Sequence, residues 1–443
     1  MFDLTSFLRQ DVVPALGCTE PGAVALAVAR AREALEPGAE IDSVQVLVSD
    51  SVFKNGKDVG IPGVIGVRGN AVAAALGALA GRSDDRLELL RAATEADVAR
   101  AVAMVRDGSV CIERLLDQDG VFVEACVISG DHEACAVIRD DHAHIAEVRL
   151  DGASISSSEM RSSDGADAEA DVRTLSFEQI YRLPDDLTAD QQEMLLVGVR
   201  MNRAIAEAGL HASLSGEPTF AEALATLRPD ALSGGDLGHR IRIYAVAASE
   251  ARMSGHTLPV MASSGSGNAG LVAVLPVSLV AESRAAGDRD LARALAVSHL
   301  ITSYVKAHVG RLSPVCGCVV AAGSGAAAGI CHLLGAPVVD AAEAIRLLLC
   351  NSAGLFCDGA KLSCALKVGT ASHEAYLSAM MVIHGARLGG PQGVADVEVE
   401  RTIENVARLN AEGLAGLDRV IISILEERAC VADEPRAASQ ESR

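Results

Sequence analysis

The residues most able to carry out chemistry in this chain are three cysteines in its last third. Cys316 lies in the segment RLSPVCGC, and Cys357 and Cys364 lie in FCDGAKLSCA; both segments are rich in small residues and nearly free of charge. Three thiolates can hold a four-iron cluster and leave its fourth iron open as a Lewis acid. The Asp-Gly-Ala turn signal between the last two thiols lets both reach one metal centre. The alternative is that all three are small buried hydrophobic residues, as free cysteines commonly are.

A fourth cysteine, Cys18, directly precedes a predicted helix in the segment Gly17-Cys18-Thr19-Glu20-Pro21. The exposed N–H groups of a helix start lower the pKa of a nearby thiol and favour the reactive thiolate. Cys18 could therefore act as a base, a nucleophile or a ligand, or could be a turn residue with no role. The other cysteines lack such a context. We expect interior packing for Cys111, Cys126, Cys135, Cys318, Cys331 and Cys350, and an incidental thiol at Cys430.

A further candidate feature is the segment MASSGSGNAG at residues 261–270, which opens into an apolar run. Glycine and serine let the backbone turn tightly, and the N–H groups of a helix start bind anions. Because no Gly-Lys-Ser/Thr follows, a substrate carboxylate is favoured over a nucleotide, with a plain flexible loop as the alternative. Lys54, Asn55 and Arg252 are candidate carboxylate partners, or else solvated surface residues.

Composition narrows the class of protein and its surroundings. The chain has 443 residues, of which 50% are hydrophobic but only 2% aromatic, so closely packed helices with small contact residues are expected. A net charge of −21 argues against nucleic acid or an anionic membrane as partner. The chain has eleven cysteines, and this odd count disfavours a disulfide framework. Because its N-terminus does not resemble a signal peptide, we expect a reducing compartment, the cytoplasm.

One segment has the length of a membrane span. Residues 312–339 contain no Asp, Glu, Lys or Arg, which is long enough to cross a bilayer. The segment is dominated by Gly, Ala, Ser and Cys, however, and contains Pro314 and His332, so the apolar drive for insertion is small. We interpret it as a buried helix, with a small-residue helical membrane protein as the alternative.

Periodicity divides the chain into two kinds of structure. Helices are predicted over residues 4–13 and 20–35, a strand over 41–48, a Gly/Pro-rich loop over 60–69, and helices over 71–79 and 89–106. Four short strands follow, and the polar segment 154–170 is expected to be an exposed, flexible linker. Beyond it the pattern is almost entirely helical. The predicted helices and strands cover residues 109–113, 121–127, 134–139, 145–150, 188–208, 239–253, 291–308, 313–334, 341–349, 365–388 and 399–410.

Five segments, taken together, resemble the L-cysteine desulfidase family, in order and nearly end to end. They are PALGCTEP, Lys54-Asn55-Gly56, SSGSGN, RLSPVC and CDGAKLSCALK. That family is related to the alpha chain of iron–sulfur L-serine dehydratases. The resemblance implies a 4Fe–4S cluster with three cysteine ligands, matching Cys316, Cys357 and Cys364, and one open iron. It also implies that Cys18 is the proton acceptor. Cys318, two residues after Cys316, lies outside the family pattern and leaves the choice between these two ligands open.

The fold expected is α+β, with a large, mainly helical cluster-binding domain and a smaller α/β subdomain. The predicted divisions are N-terminal helices over 1–40, the α/β subdomain over 41–185, the helical catalytic domain over 186–431 and a disordered tail over 432–443.

The activity implied by the resemblance is β-elimination of L-cysteine without pyridoxal phosphate, with Ser264, Ser266 and Asn268 helping to hold the carboxylate of this small amino acid. Dehydration of L-serine or L-threonine at the same cluster and a non-catalytic iron–sulfur sensor are the alternatives. A homodimer is expected, with no nucleic-acid or membrane partner.

Overall fold

A computed structural model describes residues 2–116, 118, 120–140, 142–157, 171–211, 218–310 and 313–432. Most of the predicted linker, the tail from residue 433 onward and the side chain of Cys430 lie outside the described residues. The α+β fold class is confirmed: a mainly helical part is joined to a smaller part built on a sheet.

The smaller part contains a mixed sheet of six strands in the order β5-β2-β6-β7-β8-β9. The β2–β5 pair is parallel, and the other neighbours are antiparallel. Helices α2 and α4 pack on the sheet, where their many alanines allow close approach. Its helices and strands are α2 (Thr19–Arg32), β2 (Ser43–Val48), α3 (Asp50–Gly56), β3 (Gly60–Ile61), β4 (Val64–Arg68), α4 (Asn70–Leu79), α5 (Glu95–Arg106), β5 (Val110–Arg114), β6 (Phe122–Ser129), β7 (His132–Arg139), β8 (Ile145–Leu150) and β9 (Ala153–Ser157).

The larger part is a bundle whose central helices, α9 to α12, are rich in alanine, valine and glycine and are buried along most of their length. Such small side chains let helix axes approach closely, as the composition predicts. Its helices are α6 (Phe177–Arg182), α7 (Ala189–Leu210), α8 (Phe220–Leu227), α9 (Leu237–Met253), α10 (Gly267–Ser283), α11 (Asp288–Val309), α12 (Gly323–Leu333), α13 (Val338–Ser352), α14 (Cys364–Ile383), α15 (Val399–Arg408) and α16 (Leu417–Ala432).

The N-terminal segment crosses between the two parts. Helix α1 (Leu4–Asp11) packs in the core of the bundle, whereas α2 packs in the core of the sheet. Between them, the short strand β1 (Pro14–Ala15) pairs with β10 (Val260–Met261) of the bundle. Cys18 therefore lies at the junction of the two cores.

The structure differs from the sequence-based expectations at several elements. The helix predicted over residues 89–106 begins only at Glu95, because Thr94 and Asp97 form a capping box. The predicted loop 60–69 is the β3–β4 hairpin, and β9 occupies part of the predicted linker. The helix predicted over 313–334 is a π-helical turn followed by α12. Five of the described helices lie outside the predicted ranges: α3, α6, α8, α16 and α10, for which only a helix start had been considered.

Of the cysteines expected to be interior packing thiols, two form a disulfide, although Cys135 is buried as expected, and two others are exposed. Cys126 and Cys135 lie directly opposite each other on β6 and β7, with 4.1 Å between their Cα atoms, and form a disulfide. The prediction was wrong because sequence spacing did not reveal which residues face each other across a hairpin. Cys111 and Cys350 are exposed.

Residues 313–339 form a β-bridge at Val315, the π-helical turn, α12 and the first residues of α13 rather than one long helix. Among the helices within the described ranges, none combines the length and apolar character needed to cross a membrane.

Candidate functional site

One cavity lies between the bundle and the sheet part, and four cysteines named from the sequence line it. These are Cys18, Cys316, Cys357 and Cys364. Cys18 is the residue before α2, and Cys364 is the first residue of α14. The cavity also receives the start of α10 and the end of α3, so parts distant in sequence meet there.

The two segments that carry Cys316 and Cys357 are held together by main-chain hydrogen bonds. The N–H of Cys316 donates to the Leu355 carbonyl at 2.8 Å, and the N–H of Cys357 donates to the Pro314 carbonyl at 2.7 Å. The turn that follows contains Gly359 with a φ of +92°, where an added Cβ would lie 2.4 Å from the Lys54 carbonyl oxygen. Glycine is therefore required for the cysteine loop to lie against α3.

The three thiols at this wall are not arranged around a single tetrahedral ion. Thiolates around one tetrahedral zinc lie about 3.8 Å apart, from bond lengths of about 2.3 Å. Among the described residues, the only three metal-ligating groups with donor atoms within 4.8 Å of one another are Cys126, Glu133 and Cys135. The Sγ atoms of Cys316, Cys357 and Cys364 therefore do not all lie within 4.8 Å of one another in the described structure.

Burial and neighbouring thiols set the charge state of these three cysteines. A hydrogen bond with Cys318, followed by burial, raises the pKa of Cys316 well above its ordinary value. Burial raises the pKa of Cys357, and it raises the pKa of Cys364 to about 12. Buried thiols become thiolates when a bound metal supplies the positive charge that the protein interior lacks.

Cys318, predicted to be a packing residue, instead lines the same cavity and is only partly buried in the described structure. Its hydrogen bond with Cys316 lowers its pKa. It lies beside the three candidate ligands and, together with Cys18, brings the thiols lining the described cavity to five.

Cys18 is buried and its Sγ donates to Glu20 Oε2 at 2.8 Å. The prediction that the helix start lowers its pKa was wrong. Burial raises the pKa of Cys18 well above its ordinary value, and the negative charge of Glu20 raises it further, against the opposing charge of Arg252. A thiol at this position needs a proton acceptor before it can serve as a base.

The glycine–serine segment forms the start of α10, with Ser266 as the residue before the helix. Ser266, Asn268 and Arg252 line the cavity, and Arg252 Nη1 donates to Asn268 Oδ1 at 3.2 Å. A Cβ on Gly267 would lie 2.5 Å from Arg252 Nε, so glycine leaves room for the guanidinium. Ser264 does not line the cavity; its carbonyl accepts a hydrogen bond from Lys306 Nζ at 2.7 Å.

Lys54 and Asn55, on α3, both line the cavity. Lys54 and Arg252 are buried, which contradicts the alternative that they are solvated surface charges. Lys54 Nζ forms an ion pair with Asp418 Oδ1 at 2.8 Å, and Asn55 Nδ2 donates to Glu20 Oε1 at 2.8 Å.

The sequence reasoning did not single out four further residues at the cavity: Glu20, His142, Lys306 and Lys367. Glu20 and Lys367 stand inside motifs that had been noted, within two or three residues of a named cysteine. His142 lies in a turn of the sheet and Lys306 near the end of α11, and neither carries a local signal.

Comparison with known proteins assigns the chain to a family. The family model of the serine dehydratase alpha chain matches residues 84–423. A UPF0597 protein of Nitratidesulfovibrio vulgaris is 40% identical over 446 residues, covering 96% of this chain and 99% of its own length. UPF0597 proteins of Desulforapulum autotrophicum and Kosmotoga olearia are 39% and 36% identical, each covering 96% of this chain and 98% or 99% of their own. The chain belongs to the serine dehydratase alpha chain family.

Proposed function

We propose that the chain is an iron–sulfur-dependent lyase that eliminates the β-substituent of a small L-amino acid, and that L-cysteine is its substrate. The products would be pyruvate, ammonia and sulfide. The observation that carries the proposal is that Cys18, three further thiols and the start of α10 line one cavity. The name of the matching family, which denotes elimination from serine, supports the reaction type.

Cys316, Cys357 and Cys364 would hold the cluster. When bound, a four-iron cluster with three cysteine ligands supplies one open iron, a Lewis acid for the leaving group of the substrate.

The opposite wall would hold the amino acid by its carboxylate. The N–H groups at the start of α10, the Ser266 hydroxyl and the Asn268 amide lie beside the Arg252 guanidinium, which provides positive charge for an anion. Lys54 and Asn55 lie on the adjacent wall, and Lys54 is a second candidate cation for the carboxylate. Ser264 acts indirectly, because its carbonyl positions Lys306 at the cavity.

Cys18 would remove the proton from Cα of the substrate. As Sγ takes this proton, the Cα–H bond breaks, a Cα–Cβ double bond forms and the Cβ–S bond breaks with its electron pair leaving on sulfur. The aminoacrylate tautomerises to the imine, and water hydrolyses the imine to pyruvate and ammonia. A base positioned in this way typically contributes about 10²- to 10⁴-fold to the rate.

Dehydration of L-serine or L-threonine is the second candidate function, favoured by the name of the matching family. The same proton removal would then expel hydroxide rather than sulfide. A sensor that only carries a cluster has no need of a base and an anion site in the same cavity.

The experiment that separates these functions uses protein purified and reconstituted without oxygen. Pyruvate, ammonia and sulfide are measured with L-cysteine, L-serine and L-threonine at equal concentrations. Our proposal predicts equimolar pyruvate and sulfide from L-cysteine at a higher kcat/KM than pyruvate from L-serine or 2-oxobutyrate from L-threonine. Faster turnover of L-serine or L-threonine would establish the dehydratase, and an iron-loaded protein with no turnover would favour the sensor.

We also propose a cytoplasmic homodimer. The Cys126–Cys135 disulfide does not favour a reducing compartment. Thiol titration of protein taken directly from cells tests the reducing compartment. Light scattering of the purified protein tests the homodimer.

A further inference from the structure

The proposed base, Cys18, is a poor base as the protein holds it. Its thiol is buried, and its proton points at a carboxylate rather than into solvent. Before Sγ can take a proton from a substrate, it must lose its own. The charged groups that face it come from several elements: Glu20 on α2, Arg252 on α9 and Lys361 in the loop before α14.

The acceptor of that hydrogen bond is Glu20, whose side chain is held by partners on both oxygens. Oε2 accepts from Cys18 Sγ at 2.8 Å and from Thr19 Oγ1 at 3.4 Å, while Oε1 accepts from Asn55 Nδ2 at 2.8 Å. Glu20 is only 8% exposed, yet it lines the cavity. Burial favours its neutral form, but His142, Cys18 and Asn55 outweigh burial and lower the pKa of Glu20, so Glu20 faces the Cys18 thiol as a carboxylate.

A partly exposed histidine lies beside Glu20 on the same side. His142 Nε2 lies 4.0 Å from Glu20 Oε1, and the His142 side chain is 21% exposed. The histidine belongs to the turn between β7 and β8, on the sheet part of the molecule. The Glu20 carboxylate therefore has an imidazole beside it that contacts water.

We propose, on the basis of the proposed function, that Glu20 is the positioning residue that takes the Sγ proton from Cys18. Asn55 fixes the Glu20 carboxylate, and His142 passes the proton to solvent. The Sγ–H bond breaks as a bond from hydrogen to Oε2 forms. The Cys18 thiolate then takes the Cα proton and becomes a thiol again. The proton on Glu20 leaves through His142, and the departing sulfide gains one proton from solvent, so protons balance over a turnover.

The test compares Glu20→Gln and Glu20→Asp in the iron-loaded protein. Glu20→Gln keeps the size of the side chain and removes the acceptor, so we expect kcat to fall about 10²- to 10⁴-fold with little change in KM. Its kcat should also rise with pH across the neutral range, since hydroxide must replace the missing acceptor, whereas the wild-type kcat levels off. Glu20→Asp, which retains a carboxylate, should recover a large part of kcat.

The chain supplies a matched control for these variants. Cys111 and Glu113 have the same Cys-x-Glu spacing on β5, with Cys111 Sγ 3.8 Å from Glu113 Oε1, but both are exposed. Glu113→Gln should leave kcat and its pH profile unchanged. A Glu20→Gln protein with wild-type kcat and pH profile would overturn the proposal.

A second readout does not depend on turnover. The rate at which iodoacetamide alkylates Cys18 is followed by mass spectrometry of its peptide in iron-loaded protein. Because the charge of Glu20 disfavours the thiolate, Glu20→Gln should shift the alkylation profile to lower pH while catalysis falls. An unshifted profile would show that Cys18 and Glu20 are not coupled. If the wild-type protein turned over no amino acid but this shift occurred, the proposed function would fail and the coupling would stand.

Discussion

Lys54 and Asp418 form an ion pair, with 2.8 Å between Nζ and Oδ1, that joins the cavity wall to the last helix. Lys54 lies on α3 and Asp418 in the first turn of α16. Arg114 of β5 forms a second link to α16, with its Nε 3.3 Å from Glu426 Oε1. Ile422 of α16 is part of the sheet-side core. The chain therefore returns at its end to hold α3, and with it one wall of the site.

Loss of the Asp418 carboxylate should destabilise this contact. In Asp418→Asn the Lys54 ammonium, 5% exposed, loses the charge that balances it. Since Asp418 itself is 34% exposed, we expect a loss of about 1–2 kcal/mol in the free energy of unfolding, less than for a fully buried pair. Urea unfolding at pH 7 measures it. Glu412→Gln is the control, because its pair with Arg408 is exposed on both sides and should change stability by less than about 0.5 kcal/mol. Equal effects of the two variants would contradict the role of the Lys54–Asp418 pair.

Removal of single thiols should distinguish ligands from neighbours. Alanine at Cys316, Cys357 or Cys364 should each abolish the broad visible absorption and lower the iron bound per chain after anaerobic reconstitution. Cys318→Ala should keep both, because the proposal places Cys318 beside the cluster rather than on it. Cys350→Ala, at an exposed thiol, is the control. Iron retained by Cys316→Ala but lost by Cys318→Ala would reverse the assignment of these two residues.

His299 should make stability depend on pH. It is fully buried, its Nδ1 lies 2.9 Å from Ser263 Oγ, and burial lowers its pKa from 6.5 to about 4. Because the unfolded chain binds the proton more tightly, stability is intact above about pH 6.5 and falls as pH drops towards 4, by up to about 3 kcal/mol. His299→Asn should flatten this part of the profile in urea unfolding between pH 7 and pH 4.5. His211→Asn, at an exposed position, should keep the wild-type profile, and the same dependence in all three proteins would exclude His299 as its source.

The fold could be predicted from the sequence wherever local chemistry decides it. Alternating strands, alanine-rich helices and the two-part arrangement were all expected, because apolar periodicity and small-residue content carry that information. Helices α3 and α16 were missed, since one has only seven residues and the other is stabilised by packing on the sheet part. The start of α5 after Thr94 was not predicted, because the apolar pattern extends further back than the capping box that begins the helix.

Most of the cysteines and polar residues that line the cavity could be predicted from their motifs, but the contacts between them could not. The sequence named Cys18, yet the helix-start argument gave the wrong direction for its pKa, because the burial of the thiol and its hydrogen bond to Glu20 arise only from folding. His142, in a turn, and Lys306, near the end of α11, reach the cavity only because of how the chain folds between the two cores. The spacing of residues along the sequence does not predict such long-range contacts.

The most direct measurement of the central claim is product release by iron-loaded wild-type protein and iron-loaded Cys18→Ser. With L-cysteine as substrate, the account predicts equimolar pyruvate and sulfide from the wild type. It predicts that the variant, at equal iron content and equal visible absorption, releases product at least about 10²-fold more slowly. Equal rates from the two proteins, or no product from a fully loaded wild type, would contradict it.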